Sequence, residues 1–131
     1  MGRSLTERAR TDTLVLATGA GRAEDPLPDC TRFAGPGTTT AIYMGARQAE
    51  RICTALKARG LPDNSPVDVC VDVSKPSQRL LATTMSDLAA RLVAEEIRGC
   101  AILLITWPMD AAADRAGPVM AAAGMARLRL A

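Results

Sequence analysis

Three groups of residues in this chain have the types and spacing that chemistry requires. The first is Tyr43-Met44-Gly45, where an apolar run ends and a helical pattern begins. A glycine there lets a ligand approach the backbone, and methionine offers a polarizable contact for a flat heterocycle. In α/β sheets the crevice beyond the carboxyl ends of the strands is where ligands sit. Met44 is therefore a candidate binding residue, with a plain core position as the alternative reading. The second group is paired carboxylates, Asp68 with Asp72 on one side of a strand and Glu95-Glu96 late in a helix. Such pairs serve acid–base chemistry, but solvated faces account for both. The third is two glycine-rich stretches. Gly19-Ala20-Gly21-Arg22-Ala23-Glu24 begins like a dinucleotide fingerprint but has Glu24 where the third glycine belongs, and no helix of the right length follows. Gly35-Pro36-Gly37-Thr38 precedes a strand, with no Gly-Lys-Thr, and reads as a turn. The hydroxyls of Ser74, Thr83 and Thr84 have no base to activate them.

Composition removes whole classes of mechanism. The 131 residues contain no histidine, which excludes Ser-His-Asp triads, Cys-His dyads, His-ligated zinc and histidine proton shuttles. Aromatics are limited to Phe33, Tyr43 and Trp107 and the formal net charge is +2, so neither stacking platforms nor a basic excess for nucleic acid are present. Arginine outnumbers lysine fourteen to two, but the arginines are scattered along the chain, as coding bias would leave them. Cys30, Cys53, Cys70 and Cys100 stand far apart with no C-x-x-C pair, which predicts free thiols in a reducing cytoplasm and no metal site. No apolar stretch approaches the ~20 residues of a membrane span. Charges scattered through the first twelve residues argue against a signal peptide, and Met1-Gly2-Arg3-Ser4-Leu5-Thr6 fits the myristoylation pattern only loosely.

The elements that must position these residues follow from periodicity. Thr13–Ala17 is a short apolar run ending at Thr18-Gly19 and predicts a buried strand, followed by a loop over 19–37. Thr38–Met44 is a second strand stopping at Gly45. Over Ala46–Arg59 the period becomes helical, with Ala49, Ile52, Cys53 and Leu56 on one face, Gly60 as left-handed cap and Pro62 beyond. Val67–Val73 alternates, so that the valines at 67, 69, 71 and 73 share a face opposite Asp68, Cys70 and Asp72. Ser74-Lys75-Pro76-Ser77 is a turn into a strand over Arg79–Thr83; it is too short for a parallel crossover, so these two strands are antiparallel. Thr84 with Asp87 predicts a capping box, followed by a helix with an apolar stripe of Leu88, Leu92, Val93 and Ile97 that ends at Gly99. Ala101–Ile105 reads as a central strand buried on both faces. The fold class is α/β, a small mixed five-stranded sheet with flanking helices, over residues 1–108. Residues 109–131 form an alanine- and methionine-rich tail, helical or mobile.

The run Gly37-Thr38-Thr39-Thr40-Ala41-Ile42-Tyr43-Met44-Gly45-Ala46-Arg47-Gln48-Ala49, then Gly60-Leu61-Pro62-Asp63, Pro66-Val67 and Pro76-Ser77-Gln78-Arg79, resembles the uroporphyrinogen-III C-methyltransferase (tetrapyrrole methylase) family. Leu5-Thr6-Glu7-Arg8 and Thr18-Gly19 are similar to the start of that family's second domain, and the resemblance runs through Ala101–Ile105. It implies the fold of that second domain, S-adenosylmethionine as cofactor, and a tetrapyrrole substrate on the way to sirohaem and cobalamin. It also implies a two-domain homodimer with the cofactor in the cleft between domains. Two cofactor contacts carry over by position, Met44 from the Tyr-Met-Gly motif and Val73 from a glycine or alanine of a Glu-Asn-Gly/Ala motif. Val71-Asp72-Val73 departs from that motif, placing a bulkier side chain where the backbone should approach the nucleoside. Glu7 and Ala20 stand where the family has histidines, both expected near the tetrapyrrole.

The family's glycine-proline-glycine-aspartate loop and its acid–base residues belong to the first domain and have no counterpart here, so no catalytic residue is assigned. The expectation is the carboxy-terminal half of a C-methyltransferase, cut from a longer enzyme or separately encoded, inactive by itself and binding cofactor weakly. Its partner would be the absent first domain or a second copy. A rival reading is a non-catalytic dimerisation or partner-docking module derived from that family. A third, a nucleotide-binding α/β domain of another family, is favoured if the sheet is wholly parallel.

Overall fold

The computed structural model describes residues 4–20 and 29–112. Its element order is β1 (Thr13–Thr18), β2 (Thr38–Tyr43), α1 (Ala49–Ala58), β3 (Pro66–Val71), β4 (Arg79–Thr84), α2 (Leu88–Ala94) and β5 (Ala101–Trp107). Short 3-10 turns cover Asp29–Thr31, Ala46–Gln48 and Met109–Ala112. The strands form one mixed sheet in the order β1-β2-β5-β3-β4. β1 runs parallel to β2, whereas β2–β5, β5–β3 and β3–β4 are antiparallel, so β1, β2 and β3 all point the same way. The sheet is not wholly parallel, so the observation that would have favoured a nucleotide-binding domain of another family is not met. β5, the continuous apolar run, is the central strand.

Both helices pack on one face. Ile42, Val67, Val69, Leu103 and Ile105 meet Ile52 and Leu56 of α1 and Leu88 and Leu92 of α2 in the main core. Each such side chain, once buried, contributes about 1.5–3 kcal/mol. The opposite face carries a small cluster of strand residues, Ala41, Cys70 and Leu104. Asp68 is on this second face and is buried at 7% exposure, not solvated as its alternation implied.

Helix α1 has the expected apolar face and stop. Gly60 at φ +103° lets the Leu61 N–H donate to the Leu56 carbonyl (3.0 Å) and the Gly60 N–H to that of Lys57 (2.9 Å), a Schellman closure. Helix α2 is shorter than its pattern. It begins at Leu88, because the Thr84 hydroxyl donates to the Asp87 carboxylate (3.1 Å) and Asp87 caps no helix N–H with its side chain. It ends at Ala94, because Glu96 rather than Gly99 takes the left-handed conformation at φ +54°, and the Ile97 N–H closes on the Leu92 carbonyl (2.9 Å). Burial of Ile97 fixes that closure, as Leu61 does after α1. Val93 falls off the stripe and is 79% exposed.

Two further boundaries differ from the pattern for one reason. Met44 (φ +54°) and Asp72 (φ +49°) leave the extended conformation, so β2 ends at Tyr43 and β3 at Val71. Val73 thus leaves the face shared by Val67, Val69 and Val71. Of the tail, residues 109–112 form a 3-10 turn; the expectations for 113–131 lie outside the described residues.

Candidate functional site

The carboxyl ends of β1, β2 and β3 meet at one edge of the sheet, where β5 enters. Gly19 and Gly45 bring the first two together. The Gly19 N–H donates to the Tyr43 carbonyl (2.6 Å), and a Cβ on Gly19 would stand 2.6 Å from the Gly45 Cα. A Cβ on Gly45 would meet Ile42 Cγ2 at 2.9 Å and Leu103 Cδ1 at 3.1 Å. Both glycines are there because two backbones cross with no room for a side chain. The third end is tied in by the Asp72 N–H, which donates to the Cys100 carbonyl (3.0 Å).

Met44 follows this crossing. It is 61% exposed and in a left-handed backbone conformation that a non-glycine residue adopts at a cost of roughly 1–2 kcal/mol. The core alternative for Met44 therefore falls. Its side chain lines a depression of about 310 Å³ whose other walls include Val73, Tyr43, Asp72 and Cys100. Met44 and Val73, distant in sequence, are thus brought to one depression. A neighbouring depression of about 400 Å³ lies on the other side of Met44, bounded by Gly19, Ala20, Arg47, Arg98 and Cys100. The two share Met44 and Cys100.

The electrostatics of the first depression centre on Asp72. Its carboxylate accepts hydrogen bonds from the Ser77 hydroxyl (3.0 Å) and the Lys75 ammonium (3.3 Å), which hold its carboxyl below the ordinary carboxylate range. The same bond pushes the Lys75 ammonium up. Asp72 and Asp68 do not form a pair: one is in the turn, the other in the strand and buried. Glu95 accepts ion pairs from Arg79 (3.3 Å) and Arg91 (3.4 Å), away from the depressions.

The two residues standing in for histidines part company. Ala20 lines the larger depression. Glu7 pairs with Thr11 and Arg10 before β1, and Arg10 accepts the Met109 N–H beyond the far end of β5. That is the opposite edge of the sheet, about 20 Å away by the length of β1. Sequence reasoning missed Arg98 and Cys100, since no periodicity or motif marks the link between α2 and β5. Cys100 is exposed, the other three cysteines are buried, and none is in a disulfide. Burial pushes the Cys53 thiol up, which makes it inert. Among the described residues no group of His, Cys, Asp and Glu could hold a metal ion, and no helix is long and apolar enough to cross a membrane.

The sequence model of the Tetrapyrrole (Corrin/Porphyrin) Methylases matches residues 1–89. The chain belongs to that family. Among similar proteins of this methylase family are a siroheme synthase of Gluconacetobacter diazotrophicus, 34% identical over 105 residues (79% of this chain, 22% of the relative). A uroporphyrinogen-III C-methyltransferase of Paracoccus denitrificans is 33% identical over 116 residues (87% and 40%). The chain therefore spans well under half the length of these relatives. In three dimensions it resembles a cobalt precorrin-4 methyltransferase, with TM-score 0.68, 24% identity, and coverage of 79% of this chain and 44% of that one. The uroporphyrin-III C-methyltransferase of Thermus thermophilus, solved in complex with S-adenosyl homocysteine, superimposes with TM-score 0.67, 22% identity and coverage of 85% and 46%. These methyltransferases share the five-stranded fold. The relationship is to enzymes of siroheme and cobalamin biosynthesis.

Proposed function

We propose that this chain is the cofactor-binding half of an S-adenosylmethionine-dependent tetrapyrrole C-methyltransferase, acting on a uroporphyrinogen-III or precorrin ring in the cytoplasm. The single observation that carries the reading is the convergence of Met44 and Val73 on one depression at the carboxyl ends of three parallel strands. The residues fit a nucleoside: an exposed thioether and a valine offer apolar contact to a flat ring, and the Asp72 carboxylate is an acceptor for hydroxyl donors. When bound, the cofactor supplies an electrophilic sulfonium methyl group. The chain's part is to hold and orient that group, since methyl transfer rests mainly on positioning donor against acceptor. The Gly19–Gly45 crossing keeps the floor rigid. On this reading residues 1–108 are one domain, and the opposite wall comes from a first domain, with two copies pairing as a homodimer. The chain by itself is inactive and binds cofactor weakly.

Titrating the isotope-labelled chain with S-adenosylhomocysteine and following backbone amides by NMR tests this. The expected shifts fall on residues 43–45, 72–75 and 99–101, weaken in Met44→Ala and strengthen in Val73→Ala, which clears the wall. Silence of these amides at millimolar ligand overturns the reading.

A second reading, a non-catalytic docking or dimerisation module, rests on the sheet face away from the helices. The strand register places Leu14, Leu16, Tyr43 and Leu80 on that face, and all four are exposed. Contiguous exposed apolar surface drives association. A clean monomer in sedimentation counts against this reading.

A further inference from the structure

The depression on the far side of Met44 has a charge pattern that the cofactor reading does not use. Arg47 is the middle residue of the 3-10 turn before α1, and Arg98 is in the link between α2 and β5. The Arg47 Nε–H donates to the Arg98 backbone carbonyl across 51 residues of sequence (3.2 Å), and both side chains line the depression. Neither guanidinium is ion-paired among the described residues, whereas Arg10, Arg79 and Arg91 each have a carboxylate. Glu50 and Arg51 stand on the α1 side of the adjoining groove, and the Arg51 guanidinium donates to Gln48 (3.0 Å). Gly19 and Ala20 line it as well, and at these two positions at most a methyl group stands in the way of a broad planar ligand.

The geometry points to a carboxylate-binding subsite in which Arg47 and Arg98 clamp an acidic group of the ligand whose reacting part is at Met44. The contact holds the Arg47 side chain against the Arg98 backbone, so two positive side chains line one depression with no carboxylate paired to either among the described residues, and an anion there would meet both. The single bond from Arg47 Nε leaves its terminal N–H donors available for the bidentate geometry that guanidinium makes with carboxylate. A tetrapyrrole bearing acidic side chains supplies such groups around its rim, and so does the methionyl end of the cofactor. The assignment to either source rests on the function proposed above; the charge pattern does not.

Binding of three probes to the wild-type chain and to the double variant Arg47→Gln, Arg98→Gln tests it. The probes are uroporphyrin III, S-adenosylhomocysteine, and methylthioadenosine, which lacks the carboxylate. Both arginines are exposed, so thermal melting of the variant should match wild type and verify folding. A tenfold or greater loss for uroporphyrin III, with a shallower salt dependence and partial recovery in the Arg→Lys pair, places the ring's carboxylates in the subsite. A similar loss for S-adenosylhomocysteine, with methylthioadenosine unchanged, places the cofactor's carboxylate there. Unchanged affinities for all three overturn the subsite, and binding of uroporphyrin octamethyl ester as tight as that of the free acid overturns the ring's carboxylates as its occupant. If both nucleosides bind through Met44 and none of the three probes depends on the arginines, the subsite falls and the cofactor reading stands. If neither nucleoside binds but uroporphyrin III does so through the arginines, the cofactor reading falls and the subsite stands.

Discussion

At the scale of single residues, the glycine crossing and the left-handed positions dominate. Gly19 faces backbone, which cannot move aside without parting β1 from β2, so Gly19→Ala should lose about 1–3 kcal/mol in urea unfolding. Gly35 has open space around it, and Gly35→Ala should be neutral or slightly stabilising. Met44 is the converse case: an exposed side chain in a backbone conformation suited to glycine. Met44→Gly should raise stability by about 1 kcal/mol while weakening S-adenosylhomocysteine binding, the signature of strain retained for contact rather than for the fold. Asp72 makes a pH prediction. Its folded pKa is depressed, so its contribution is present above the unfolded value of about 3.9 and is lost as pH falls through the lower folded value. Asp72→Asn keeps a residue tolerant of φ > 0. It should therefore be less stable than wild type near neutrality, with the difference closing in acid; a constant difference across pH would refute the charge-based account.

At the scale of elements, the two helices carry the same closure by different residues. Gly60 and Glu96 occupy equivalent left-handed positions, each followed by a buried aliphatic residue, Leu61 or Ile97. Glycine announces such a stop in a sequence, and glutamate does not, which is why α1 was legible to its last turn and α2 was not. The short α2 still packs its core face. Leu88→Ala and Leu56→Ala should each cost about 2–5 kcal/mol, because both side chains are fully buried between sheet and helix. Val93→Lys should stay within about 0.5 kcal/mol of wild type, since that side chain faces solvent. A large loss at Val93 would restore it to the apolar stripe and contradict the observed orientation.

At the scale of the whole molecule, the depressions are walls without a second side. Their volumes of about 310 and 400 Å³ are open, so bound ligand keeps much of its surface in water. Burial of most of a ligand's surface is what tight small-molecule sites have in common. Isothermal titration with S-adenosylmethionine should therefore give a dissociation constant weaker than micromolar; submicromolar binding by this chain would show that no first domain is needed to complete the cleft. The exposed face bearing Leu14, Leu16, Tyr43 and Leu80 makes association in solution an issue to be resolved in the same samples.

What the sequence by itself determined was local or inherited. Alternation and apolar runs located all five strands, the turn at Lys75 dictated an antiparallel hairpin, and the Tyr-Met-Gly and Gln-Arg segments carried the family. These signals are readable because period and turn chemistry act between near neighbours along the chain. Only the tertiary structure decided that Met44 is exposed, that Ala20 and Glu7 belong to opposite sheet edges, and that arginines scattered in sequence bring Arg47 and Arg98 to one depression. The physical reason is the strand order. β5 inserts between β2 and β3 and runs against both, which carries the link before it to the carboxyl ends of its neighbours, and no periodicity along the chain encodes that insertion.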